Sequence, residues 1–229
     1  MKNKILVIAT NQDKYETTGD ATGLWLGELT HFYDVMFNAG INIDIVSAKG
    51  GAIPLDPSSV SSALIDDLTK EYYENEKFMN LLKDTKNASD VKAEDYDAIY
   101  FTGGHGTMWD FPNTEAFQNL SAEIYENGGI VSAVCHGVGG LLNIKLKDGT
   151  NLIKDKSLTG YSNEEEIIAK VIEKIPFKLE DKLKENGAEY KKASTPFTSF
   201  VVEDNKLITG QNPASTKEVA EKVLQVLNI

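Results

Sequence analysis

Apolar residues recur along this chain in two rhythms: short uninterrupted runs, and longer stretches with apolar positions three and four residues apart. The first run, Ile5 to Ala9, is continuous, as expected for a strand covered on both faces of a parallel sheet. A polar, glycine-containing loop leads to Gly23. From Leu24, the residues Trp25, Leu29, Phe32, Tyr33 and Met36 recur at helical intervals until Asn38-Ala39-Gly40 supplies a glycine suited to a C-cap. Ile41 to Ala48 alternates as a second strand, and the resulting βαβ unit is expected to be right-handed.

Residues Lys49 to Asp95 break the rhythm. Gly50-Gly51, Pro54 and Pro57 make an irregular entry, and Val60 to Leu82 is amphipathic and acidic, which predicts a helical insertion or flap at about 49–95 on the domain edge. Tyr96 to Thr102 predicts a third strand, Asn113 to Tyr125 a helix capped by Asn113, and Ile130 to Val134 a buried strand. Ser157 to Tyr161 reads as a strand end, and Ser162 or Asn163 as the cap of a helix with Glu164, Glu165 and Glu166 in its first turn. A helix over Phe177 to Asn186, a hairpin turning at Asp204-Asn205 and a closing helix from Thr216 to Leu227 complete the pattern. This alternation predicts one α/β domain over residues 1–229, a doubly wound, mostly parallel sheet sandwiched by helices.

Gly128 to Gly140 carries the only cysteine at a point where structure must change abruptly. The apolar strand ends at Val134, glycines permit a sharp turn into the next helix, and Cys135 stands at the corner, the placement a nucleophile elbow gives its serine. A helix N-terminus there would favour the thiolate, and the His136 N–H would be placed to receive an oxyanion. Spacing alone allows equally a structural core cysteine. Ligands in such sheets bind beyond the carboxyl ends of the strands, where Gly103-Gly104-His105-Gly106-Thr107 and Tyr161 to Glu166 also fall. The glycine loop lacks the Lys-Ser/Thr of a P-loop and the dinucleotide fingerprint, so close backbone approach to something small is the better reading. Glu28, flanked by Leu24, Trp25 and Leu29, is either on the solvent face or buried and in need of a partner, which Cys135 could be. Glu164 and Glu165 read as solvated first-turn acids, and His105 as a loop residue at the pocket mouth.

Composition narrows the partners. A net charge of −12 over 229 residues argues against nucleic acid or an anionic membrane surface. One cysteine makes no internal disulfide, no Cys/His group has zinc-site spacing, and the short apolar run at the start is a strand rather than a signal peptide. A cytoplasmic protein with no metal site is expected.

Five stretches in order, Thr22 to Leu29, Gly103 to Asp110, Ala133 to Gly137, Leu158 to Glu166 and Leu207 to Ser215, resemble the PfpI-like superfamily, which has the flavodoxin-like, class I glutamine amidotransferase-like fold. Within it the chain looks most like the glutathione-independent glyoxalase III branch, also described as heat-shock chaperones. The resemblance implies that Cys135 is the nucleophile, that Glu28 hydrogen-bonds its sulfur, that Glu166 orients His136, and that Gly104 joins the His136 N–H as oxyanion donor; His105, at the pocket mouth, is a candidate for substrate contact beside it. It also implies a homodimer. Gly27 and Phe32 depart from the branch where another acid and a proline are common; both concern the packing of the first helix.

The implied chemistry is redox-neutral and needs no cofactor. A thiolate adds to the aldehyde of a small 2-oxoaldehyde such as methylglyoxal, a base (His136 or Glu28) moves a proton from the first carbon to the second through an enediol, and the thioester is hydrolysed to a 2-hydroxy acid. Deglycation of early glycation adducts is an extension of the same activity. The alternative is a holding chaperone for unfolded clients, or a redox sensor with an oxidisable Cys135. A cysteine peptidase ranks lower, because the flap would leave little room for a chain.

Overall fold

Strands with no polar face need helices on both sides, and the chain supplies them. The computed structural model describes residues 2–228. Its elements run β1 (Lys4–Ala9), α1 (Leu26–Asn38), β2 (Asn42–Ser47), α2 (Asp67–Glu74), α3 (Glu76–Asn80), β3 (Lys86–Asn87), β4 (Ala98–Phe101), α4 (Thr107–Asp110), α5 (Glu115–Glu126), β5 (Ile130–Val134), β6 (Ser157–Leu158), α6 (Asn163–Ile168), α7 (Leu179–Glu185), β7 (Glu189–Tyr190), β8 (Val201–Asp204), β9 (Leu207–Gly210) and α8 (Thr216–Leu227). Seven strands form one sheet in the order β3-β2-β1-β4-β5-β9-β8, and β6 and β7 pair separately. All neighbours in the large sheet are parallel except β8 and β9, the expected hairpin, which turns through Asn205 at a φ of +57°.

Successive residues of β4 face opposite sides of the sheet and show how it is covered. Tyr100 stacks on Phe32 of α1 at 3.7 Å between ring centroids, while Phe101 meets Phe117 of α5 edge-on at 6.0 Å. α8 packs beside α1, and α5 lies on the other face. β1, β4 and β5 are buried along nearly their whole length, in agreement with their unbroken apolar sequence.

One local expectation is corrected. Thr114, not Asn113, is the N-cap of α5; Asn113 ends the 3-10 turn Phe111–Asn113 that Pro112 favours, and its amide donates to the Trp109 carbonyl. The stretch from Val60 to Leu82 holds two short helices, α2 and α3, because Asp66 and Asn75 each cap a new start, accepting from Thr69 N–H and from Lys77 and Phe78 N–H. This segment is tied to the body where Leu24 N–H donates to the Pro54 carbonyl and Asp56 N–H to the Leu24 carbonyl.

The strand order reverses between β1 and β4, the place where open α/β sheets bind ligands. Register aligns Ile8 with Phe101 and Phe101 with Ala133. Thr10, the Gly103-Gly104 turn and Cys135 therefore leave the sheet side by side at its carboxyl edge.

Candidate active site

β5 is held between β4 and β9, and at its end the chain turns directly into the 3-10 helix Cys135–Leu141. Cys135 takes a φ of +56°, a region disfavoured for any residue with a Cβ. The surroundings hold it there: its carbonyl accepts from Tyr161 N–H at 3.4 Å, and Cys135 is only 2 % exposed. Its side chain borders a cavity of about 400 Å³ that Gly104, His105, His136 and Tyr161 also line. Gly104 has a φ of +101°, so glycine is required at this close approach.

One carboxylate organises two histidines. Glu166 Oε1 lies 2.6 Å from His136 Nε2, and its Oε2 lies 3.1 Å from His105 Nε2. Burial alone would raise the Glu166 pKa, but the electrostatics of the facing His136 and His105 rings and hydrogen bonds from both override it and hold the carboxyl at about 2. Burial, reinforced by His105, lowers His136. The pair is thus an ionised Glu166 and a neutral imidazole whose Nε2–H faces the carboxylate. That tautomer leaves Nδ1 as an acceptor, 3.3 Å from Cys135 Sγ.

The opposite side of the thiol is built from α1. Glu28 is fully buried and neither of its oxygens has a well-aligned hydrogen-bond partner. Desolvation pushes its carboxyl up to about 8, only partly offset by the Cys135 thiol and the Gly103 N–H beside it. A Cβ on Gly103 would overlap Glu28 Oε2 and come within 2.9 Å of the Cys135 Cβ, so glycine there leaves the space in which acid and thiol meet. The α1 position is fixed nearby, where the Tyr100 hydroxyl donates to the Glu28 carbonyl at 2.8 Å.

The structure therefore brings Cys135, His136, Glu28, Glu166, Gly104 and His105 to one place, but it reverses the expected state of the thiol. Burial, with the Glu28 carboxyl next to it, pushes Cys135 well above its ordinary pKa, although the His136 N–H opposes this. A dipole argument made from one helix end could not anticipate a sulfur this deeply buried at the cavity floor. Glu165 is also corrected: it is fully buried, closes a capping box with Ser162 and binds Gln211, Asn212 and the Phe197 N–H. Glu164, by contrast, is exposed and faces Lys192 at 3.4 Å.

Sequence reasoning missed several walls of the pocket, among them Tyr15, Asp56, Leu64 and Phe197. Tyr15 offers the one usable signal, an aromatic residue in a polar loop just past β1, and it packs on both His105 and Trp109. Among the described residues, His105, His136 and Glu166 are the group whose ligand atoms, all within 4.8 Å of one another, could hold a metal ion. The loop after β4, the 3-10 helix after β5 and α6 supply one each, so spacing could not reveal it. A larger depression of about 600 Å³ lies against α5, lined by Glu94, Glu115 and Glu123 among others, and contains no cysteine or histidine.

Comparisons with known proteins identify relatives over nearly the whole chain. The family model described as the DJ-1/PfpI family matches residues 21–226. The chain is 32% identical over 231 residues to Glyoxalase 3 of Candida albicans, covering 98% of each. It is 31% identical to the glutathione-independent glyoxalase HSP31 of Saccharomyces cerevisiae, covering 99% of this chain and 98% of that one. Among solved structures, the Rapid Encystment Protein 24 kDa of Francisella tularensis superposes with a TM-score of 0.93 at 43% identity over 98% of both chains. Glyoxalase III of Candida albicans superposes with a TM-score of 0.91 at 32% identity, over 97% of this chain and 96% of the other.

Proposed function

The chain belongs to the DJ-1/PfpI family, and from that premise we propose that it is a glutathione-independent glyoxalase, converting a 2-oxoaldehyde such as methylglyoxal to the 2-hydroxy acid through a hemithioacetal on Cys135. The observation that carries the proposal is a single buried sulfur set between a neutral imidazole anchored by an ionised carboxylate and a carboxyl that keeps its proton to about 8. These are the base and the acid that a 1,2-proton shift requires.

The thiol, neutral at rest, gives its proton to His136 Nδ1 as sulfur bonds to the aldehyde carbon. The oxygen left with negative charge faces the N–H groups of Gly104 and His136, and takes that proton back. His136 then removes hydrogen from the first carbon while Glu28 protonates the oxygen on the second, giving an enediol. Return of a proton to the second carbon and loss of the first hydroxyl proton leave a thioester, which water cleaves to the hydroxy acid and free thiol. The sum is substrate plus water. The proposal extends to early glycation adducts and to a cytoplasmic homodimer; no helix among the described residues is long and apolar enough to cross a membrane.

A second reading, a holding chaperone, is favoured by the exposed apolar side chains Leu64, Ile167, Ile168 and Phe197. One assay separates the two: lactate formed from methylglyoxal without glutathione. Cys135→Ala is expected to lower kcat by at least about a thousandfold. Unchanged turnover in that variant overturns the enzyme, and client protection that survives it supports the chaperone.

A further inference from the structure

The pocket is larger and more apolar than methylglyoxal needs. Its volume of about 400 Å³ is in the range that encloses drug-sized ligands, while the reacting three-carbon unit would occupy only the floor, where Cys135, Gly104 and His136 lie. Above that floor stand two apolar side chains from unrelated parts of the chain. Leu64, from the segment between β2 and β3, is 58% exposed, and Phe197, before β8, is 43% exposed. Phe197 has a φ of +61°, a rare conformation for a bulky residue, and its N–H is held by buried Glu165 at 2.9 Å. That anchor fixes an aromatic ring at the cavity mouth, 6.4 Å from the Tyr161 ring.

Charge in the pocket has one sign. Asp56 stands at its wall, the ionised Glu166 lies behind His105 and His136, and no lysine is among the lining residues. Lys174, whose ammonium lies 5.7 Å over the Tyr15 ring, is engaged by Asp20 at 2.7 Å. The chain contains no arginine at all, its basic residues being lysine throughout. No lysine or arginine lines the pocket to form an ion pair with a carboxylate on a substrate's tail, and the hydroxy-acid product, once ionised, is repelled outward.

We propose that the site selects neutral 2-oxoaldehydes bearing an aryl or branched-alkyl tail over both methylglyoxal and anionic analogues, with Leu64 and Phe197 gripping the tail. The selection rests on the glyoxalase reading and refines it. Each such substrate takes up water and becomes the corresponding 2-hydroxy acid by the same proton shift. The matched probes are methylglyoxal, phenylglyoxal and 4-carboxyphenylglyoxal, assayed without glutathione; with no guanidinium in the chain, the aryl probes have no arginine to modify.

Phenylglyoxal is expected to exceed methylglyoxal in kcat/KM by about tenfold, chiefly through KM, and the carboxylated probe to lose at least that factor. In the double variant Leu64→Ala, Phe197→Ala the phenylglyoxal to methylglyoxal ratio should fall about fivefold, with circular dichroism confirming the fold. Turnover of methylglyoxal with no preference for phenylglyoxal, or a ratio that the double variant leaves unchanged, overturns the selection and spares the glyoxalase reading. Failure to turn over any of the three probes overturns both.

Discussion

Two buried glutamates serve the same sulfur, Glu28 from beside it and Glu166 through His136, and titrate in opposite directions. Glu28, on α1, has apolar neighbours and no aligned partner, and its carboxyl rises to about 8. Glu166, on α6, is 2% exposed, yet it falls to about 2 because two imidazoles face it. Burial is common to both, so burial alone does not decide charge; the partners do. The difference separates an acid from the anchor of a base within one pocket, on either side of a thiol that is itself uncharged at rest.

The largest effect that tests this contrast is catalytic. Glu28→Gln keeps the shape of the side chain and removes its transferable proton, and should lower kcat on methylglyoxal by about 100-fold or more, the usual worth of a general acid. Wild-type kcat/KM should fall as pH rises through about 8, where Glu28 loses its proton. It should also fall on the acid side as His136 becomes protonated, below its ordinary value because burial lowers it. A rate that climbs steadily through pH 8 would make the thiolate, not the Glu28 proton, the limiting species.

Stability sharpens the contrast, because the two glutamates contribute with opposite sign. Glu28 in the folded chain keeps its proton to about 8 while its ordinary value is 4.5, so its contribution is full below 4.5 and is lost as pH rises through 8. At pH 7 that loss is about 3 kcal/mol. Glu28→Gln should therefore raise Tm, and the gain should grow between pH 4.5 and 7.5 in thermal melts. Glu166 contributes stability above 4.5 that is lost as pH falls through about 2. Glu166→Gln should therefore destabilise by about 3 kcal/mol at pH 7 and leave His136 unanchored. Two variants moving Tm in the same direction would mean that the carboxylates do not differ as described.

The same distinction explains what the sequence made legible. The strands could be read because continuous apolar runs are what a doubly covered sheet demands, and the elbow because an apolar strand ending at Val134 meets Cys135 and a glycine-rich turn. Glu28 could be suspected from its apolar flanks, but its neighbours identify it only as buried or exposed, not as protonated. The thiol's state was misjudged for that reason: a local dipole was visible, while desolvation by α1 and the sheet was not. Glu165 and Glu166 are adjacent in sequence, yet one holds Gln211, Asn212 and Phe197 and the other holds two histidines. Leu64, Phe197 and Asp56 come from irregular segments with no periodicity to place them, so the pocket walls emerge only from the fold.

The smallest predicted effect concerns His105, which touches both sides of the comparison. It occupies Glu166 Oε2, and its proximity, 4.0 Å between ring centroids, helps to hold His136 below its ordinary pKa. His105→Ala leaves the 2.6 Å contact between Glu166 and His136 in place, so the anchor of the base survives. Without His105 the pKa of His136 should rise, and the acid limb of kcat/KM should move to higher pH, since protonated His136 can no longer accept the thiol proton. The loss at pH 7 should be about fivefold or less, because a shift of one unit changes a rate on that limb by only about tenfold. An acid limb that stays where it is in His105→Ala would reduce His105 to a wall of the pocket and leave Glu166 and burial alone to set the state of the base.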